Sequence, residues 1–110
     1  MKIAVYAQNA EARYSLSRQT EEVLLRRGIL PEVTLFPMLP ELLVAGECTA
    51  FDLALVAGER GAAALKGLCR TVPVILVGEK SDGPAAFDIG ARYFIDIPVD
   101  KYKLDNSLTR

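Results

Sequence analysis

Few side chains in this sequence are equipped for chemistry, and their spacing limits what they can do together. Cys48 and Cys69 are the two cysteines, the chain has no histidine, and no Cys-x-x-Cys pair occurs. Zinc sites need clustered thiolates and imidazoles, and a reactive thiol needs a base beside it, so neither chemistry is expected. Both cysteines read as reduced, half-buried small apolar residues. Asp52 falls at the start of a predicted strand and reads as a solvated or capping acid. Asp96 precedes Ile97 directly, so strand alternation turns the two to opposite faces, and Asp96 reads as a packing or interface charge. Glu59 and Asp82 fall in loops that share one edge, yet two isolated acids make a poor octahedral cation site. Gly58, Gly61, Gly78 and Gly83 gather at that edge, where backbone N–H groups could cradle an anion. Nothing matches G-x-G-x-x-G or the P-loop spacing, so turn geometry is the simpler reading. Arg13, Arg18, Arg26 and Arg27 are interleaved with Glu21 and Glu22 and read as a solvated helix face. No metal, no cofactor and no nucleophile–base pair is expected, and with them no enzyme activity.

The elements that would carry these residues are plain from hydropathy. Phe51-Asp-Leu-Ala-Leu-Val-Ala-Gly58 centres on an unbroken apolar run, which suits a strand buried on both faces of a parallel sheet. In open α/β sheets chemistry collects where such strands end. Here the strand delivers Ala57 and Gly58 to that place, and neither has a reactive side chain. Around it the chain alternates. Lys2–Ala7 opens as a strand, and Asn9 caps a helix to about Arg27, with Leu16, Thr20, Val23 and Leu24 as its inner stripe. Val33–Phe36 is a second strand, followed by a short helix from Pro40 to Ala45 that Gly46 ends. After the third strand comes a weak helix over Ala62–Arg70, then a fourth strand over Pro73–Gly78. Pro84 starts a fourth helix to Ile89, Tyr93–Ile97 forms the fifth strand, and Asp100 caps a last helix of about three turns, with Leu104 and Leu108 on one face.

Five strands alternating with helices predict a doubly wound α/β domain over residues 1–110. The expectation is a flavodoxin-like, five-stranded parallel sheet in order 2-1-3-4-5 with helices on both faces. Hydrophobic residues make up 51% and charged residues 25%, as in globular chains, and the net charge of −1 provides no field to recruit nucleic acid or anionic lipid. Met1–Ala7 is too short for a secretory signal and no apolar run spans a bilayer, so the cytoplasm is the expected location.

The chain resembles response-regulator receiver (CheY-like) domains, nearest in flavour to those of LytTR-type regulators. Met1-Lys-Ile-Ala-Val-Tyr6, Phe51–Val56 and above all Ala86-Phe-Asp-Ile-Gly-Ala-Arg-Tyr-Phe-Ile-Asp-Ile-Pro-Val-Asp100 carry the likeness. The resemblance implies a set of functional positions, and this chain departs from every one. The carboxylate pair that would hold Mg²⁺ falls at Ala7 and Gln8, the phosphoacceptor aspartate at Ala57, the switch hydroxyl at Gly78 and the phosphoryl-binding lysine at Ile97. Phe94 retains the aromatic switch position, and Pro98 falls where receivers commonly carry a cis peptide bond. The pattern implies a degenerate pseudo-receiver. Its expected role is phosphorylation-independent signalling or transcriptional regulation through protein–protein contacts, with a possible fused DNA-binding domain outside this sequence. A homodimer or protein partner is expected on the fourth helix, fifth strand and fifth helix, with Phe94, Ile97, Val99, Leu104 and Leu108 as apolar interface material. The rival expectation is a small-molecule sensor whose ligand fills the strand-end space lined by Ala7, Ala57, Gly58 and Gly78.

Overall fold

The computed structural model describes residues 1–57 and 65–108. Five parallel strands form one sheet in the order β2-β1-β3-β4-β5. They are β1 (Lys2–Ala7), β2 (Glu32–Phe36), β3 (Leu53–Ala57), β4 (Val74–Gly78) and β5 (Tyr93–Asp96). The connecting helices are α1 (Ala10–Arg26), α2 (Leu39–Cys48), α3 (Lys66–Thr71) and α4 (Gly83–Asp88), and α5 (Lys101–Leu108) follows β5. A 3₁₀ turn over Lys80–Asp82 leads into α4. The expected fold and strand order are both observed.

Strand alternation divides the core in two. Ile3, Val5, Leu53, Leu55, Ile75, Val77 and Ile95 face α1 and α5, meeting Leu16, Val23, Leu24 and Leu104. Ala4, Tyr6, Ala54, Val56, Val74 and Leu76 face the opposite layer, meeting Leu42, Leu68, Ala86 and Ile89 from α2, α3 and α4. Each central strand therefore buries both faces, which is why β3 reads as a continuous apolar run. Thr20 and Ser17 are buried polar residues of α1, and the Thr20 hydroxyl donates to Leu16 O at 2.7 Å. Among the described residues no buried side-chain polar atom lacks a partner.

Several boundaries differ from the sequence reading, each for a physical reason. Asn9 does cap α1, accepting Ala12 N–H at 3.1 Å. The second helix does not stop at Gly46 but runs on to Cys48. Gly46 is buried, and a β-carbon there would collide with the Leu68 side chain, so this glycine permits α2 and α3 to approach closely. Phe51 lies outside β3 and packs edge-on against Phe36, with ring centroids 6.0 Å apart. Helix α3 is described only from Lys66, and the expected start at Ala62 falls outside the described residues. The fifth strand ends at Asp96, although Ile97 N–H still donates to Gly78 O at 2.9 Å. Tyr93 and Phe94 are both half-buried, Tyr93 against the α1–α5 core and Phe94 against the α4 side. The Ile97–Pro98 peptide is cis. No described helix is long and apolar enough to cross a membrane.

Helix α5 is held by charge as well as by packing. Asp100 caps it by accepting Lys103 N–H at 2.8 Å. Arg27 pairs with Asp105 at 2.7 Å, Lys101 with Glu22 at 2.8 Å and Lys103 with Asp96 at 3.2 Å. The hydrogen-bonded cation beside each acid holds Glu22, Asp96 and Asp105 below the ordinary carboxylate range.

Candidate functional site

The C-terminal edge of the sheet is where β1, β3 and β4 deliver their last residues to loops. Register places Ala7 beside Ala57, and Ala57 beside Val77, so the strand ends lie level. They open into a cleft of about 870 Å³ whose walls include Ala7, Gln8, Asn9, Ala57, Gly78, Asp82 and Ile97. The structure thus brings together the five positions at which the resemblance leads one to expect functional side chains: Ala7, Gln8, Ala57, Gly78 and Ile97. Gly58, Glu59 and Gly61 fall outside the described residues.

The polar groups at this edge are turned onto the chain itself. Arg13 is not part of a solvated face as the sequence suggested. It is half-buried, and its Nη1 donates to the carbonyl of Ala7 at 2.8 Å, with Gln8 O at 3.5 Å. The reason is local: Asn9 starts α1 directly after β1, so the fourth residue along curls back over the strand end. Glu79 and Asp82 form a reciprocal cap, in which Glu79 N–H donates to Asp82 Oδ2 at 2.9 Å and the Glu79 carboxylate accepts Asp82 N–H. A β-carbon at Gly78 would stand 2.6 Å from Asp82 Oδ2, so the carboxylate fills the volume that a side chain at 78 would need. Gly83 N–H, one of the expected anion donors, is spent on Lys80 O.

Ile97 stands at the rim, 51% exposed, where a lysine would be expected. Lys103 does not substitute for it. Its ammonium wraps the β5–α5 turn, at 3.3 Å from both Asp96 O and Pro98 O and 3.2 Å from the Asp96 carboxylate. Asp52, at the opposite end of the sheet, accepts Lys2 N–H at 2.8 Å and acts as a strand cap. Among the described residues no cluster of His, Cys, Asp or Glu could hold a metal ion. Cys69 is half-buried and its thiol is pushed up by desolvation, while Cys48 is exposed.

The expected interface residues separate into two groups. Leu104 has no exposed surface and belongs to the α1–α5 core, so it is not interface material. Val99 and Leu108 pack partly against the same core. What remains outward is Ile97, with Phe94 half-buried behind it. To these the structure adds Phe87, 74% exposed on α4, which sequence reasoning had missed. The signal was present: Ala86 and Ile89 point inward at helical spacing, which turns Phe87 to water.

No protein-family model matches the chain, and no curated protein matches it. Solved structures do. A protein of Burkholderia pseudomallei described as pilus assembly-related is 20% identical, with a TM-score of 0.83 over 100% of this chain and 87% of that one. A response regulator receiver domain protein of Clostridium thermocellum is 18% identical, with a TM-score of 0.78 over 98% of this chain and 90% of that one. An orphan response regulator of H. pylori is 17% identical, with a TM-score of 0.75 over 99% and 94%. A protein of Sinorhizobium meliloti described as a CpaE2 pilus assembly protein is 20% identical, with a TM-score of 0.67 over 99% and 98%. The fold is that of response-regulator receiver domains, a flavodoxin-like sheet in order 2-1-3-4-5.

Proposed function

We propose that the chain is a receiver-like, non-enzymatic domain that works without phosphorylation, as a protein-contact module of a signalling or assembly protein. The observation that carries this reading is the chemistry of the cleft. Phosphoryl transfer needs an acceptor oxygen, a metal to neutralise the transferred group and a cation beside it. The corresponding walls here are a methyl at Ala57, a methyl and a neutral amide at Ala7 and Gln8, and a butyl group at Ile97. The contact surface is the α4–β5 face, where Phe87, Phe94 and Ile97 present apolar area, and its partner is another protein or a second copy of this chain. Two of the similar structures come from proteins described as pilus assembly proteins. That favours an assembly complex as the setting, ahead of transcriptional control through a fused DNA-binding domain. A cytoplasmic location and the absence of direct nucleic-acid binding accompany this reading, in keeping with the net charge of −1.

A second reading, a small-molecule sensor, draws support from the concavity of the cleft. The bonding of Arg13, Glu79 and Asp82 to the chain's own backbone weighs against it, because few polar groups are left to orient a ligand. Two experiments test the proposal. Incubation with Mg²⁺ and acetyl phosphate should leave the intact mass unchanged, and stable phosphate uptake would contradict it. Sedimentation of the wild-type chain at high concentration, beside Phe87→Asp and Ile97→Asp variants, tests the second-copy form. A strictly monomeric wild-type chain rules that form out and leaves a foreign protein as the partner.

A further inference from the structure

We propose that the open edge of β2 is a self-pairing site, at which two copies of the chain join β2 to β2, antiparallel, across a two-fold axis through Thr34. Strand β2 ends the sheet and pairs only with β1. Glu32 N–H donates to Met1 O at 2.8 Å, so by alternation Glu32, Thr34 and Phe36 turn their backbone groups to β1. Val33 and Leu35 turn theirs outward, where no described group bonds them. The next outward positions are Pro31 and Pro37, which have no N–H to leave unpaired. Such an edge is a template for another strand unless it is guarded, most often by lysine. Residues 30–38 contain no lysine, and Glu32 is the only charge among them.

The occupant is a second copy because the segment is symmetric about Thr34. Leu30-Pro-Glu-Val-Thr-Leu-Phe-Pro-Met38, read outward from Thr34, sets Val33 against Leu35, Pro31 against Pro37 and Leu30 against Met38. Pairing across a two-fold requires this self-complementarity, and a foreign strand does not. In that register Val33 and Leu35 of the second copy exchange both backbone bonds. The two threonines form the close non-hydrogen-bonded pair, and the prolines end the ladder on each side without a stranded donor. Glu32 meets Phe36, so no like charges face each other. Leu30 and Met38, 74% and 57% exposed in the single chain, cover one another. The β2 edge is the far side of the sheet from β5, so this site is separate from the α4–β5 face and stands without the contact-module reading.

The test is sedimentation of the chain over a concentration series, with charge introduced at Thr34, an exposed side chain outside both core clusters. The wild-type chain should dimerise reversibly. Thr34→Lys and Thr34→Glu should each weaken association by about tenfold or more, because like charges then face each other at the axis. An equimolar mixture of the two variants should recover it. Amide exchange of the wild-type chain supplies a readout that needs no variant: Val33 and Leu35 should gain protection as concentration rises, while Glu32, already bonded to β1, should not. A wild-type chain that stays monomeric, a dimer indifferent to Thr34→Lys, or a mixture no better than either variant overturns the proposal. Each of those results leaves the α4–β5 face to its own experiments.

Discussion

Replacing Leu104 by alanine separates core from contact surface. The sequence placed Leu104 in an exposed interface, and the structure places it at 0% exposure against Leu16, Val23, Leu24 and Ile95. Burial of a leucine side chain contributes about 1.5–3 kcal/mol by transfer alone. The cavity left behind adds to that, for a total near 2–5 kcal/mol when the surroundings cannot collapse. For a domain of this size each kcal/mol moves the thermal midpoint by about 4–8 °C, so Leu104→Ala should lower it by about 10 °C or more. Phe87→Ala, at a side chain 74% exposed, should change stability by no more than about 0.5 kcal/mol. The assay is urea and thermal unfolding followed by far-ultraviolet circular dichroism, with denaturant slopes compared to confirm that the unfolded states match. A loss under about 1 kcal/mol for Leu104→Ala, or a loss as large for Phe87→Ala, would refute this assignment of core and surface.

Other outcomes follow from the same geometry. Gly46→Ala should cost about 1–3 kcal/mol by overpacking against Leu68, whereas Gly67→Ala, with nothing within 4 Å of the added carbon, should stabilise by up to about 1 kcal/mol in unfolding experiments. Arg13→Met should cost about 1 kcal/mol by deleting the bond to the Ala7 carbonyl and should shift the amides of residues 8 to 10 in NMR spectra. Glu22, Asp96 and Asp105 have depressed pKa values, so their contribution is present at neutral pH and fades as pH falls through and below the ordinary values of 4.5 and 3.8. Protection of the α5 amides, corrected for the intrinsic exchange rate at each pH, should therefore fall ahead of that of the sheet on acidification below about pH 4, and 1 M salt at pH 7 should produce a weaker version of the same change. Ala57→Asp alone should take up no phosphate from acetyl phosphate by intact mass, because one carboxylate restores neither the metal pair nor the lysine.

The sheet was legible because its signals are local and redundant. Apolar runs such as Leu53–Ala57 and Val74–Gly78 have no alternative buried state, and Asn9, Gly28 and Asp100 mark helix ends by side-chain or backbone geometry that needs no tertiary context. Gly28 adopts φ +73°, as expected for a glycine just past a helix end. Gly46 was misread because a glycine that stops a helix and one that lets another helix approach look identical in one dimension. The five cleft positions were legible only through the resemblance, since alanine, glycine and isoleucine announce no chemistry by themselves. Arg13 was missed because helical spacing alone puts it among exposed charges, and its reach back to Ala7 depends on how abruptly β1 turns into α1. Leu104 was misassigned for a related reason. An i,i+4 apolar pair on a terminal helix fits a core stripe and a dimer stripe equally well, and only the position of α1 decides between them.

The central claim, that the cleft has no phosphoryl chemistry, is tested most directly by amide NMR titration of the domain with Mg²⁺ and then with beryllofluoride. The account predicts no saturable shift at residues 7 to 9, at Ala57 or at residues 76 to 79. Saturable shifts at those amides, with Mg²⁺ alone or with the pair, would reveal a working cation and phosphoryl site and contradict it.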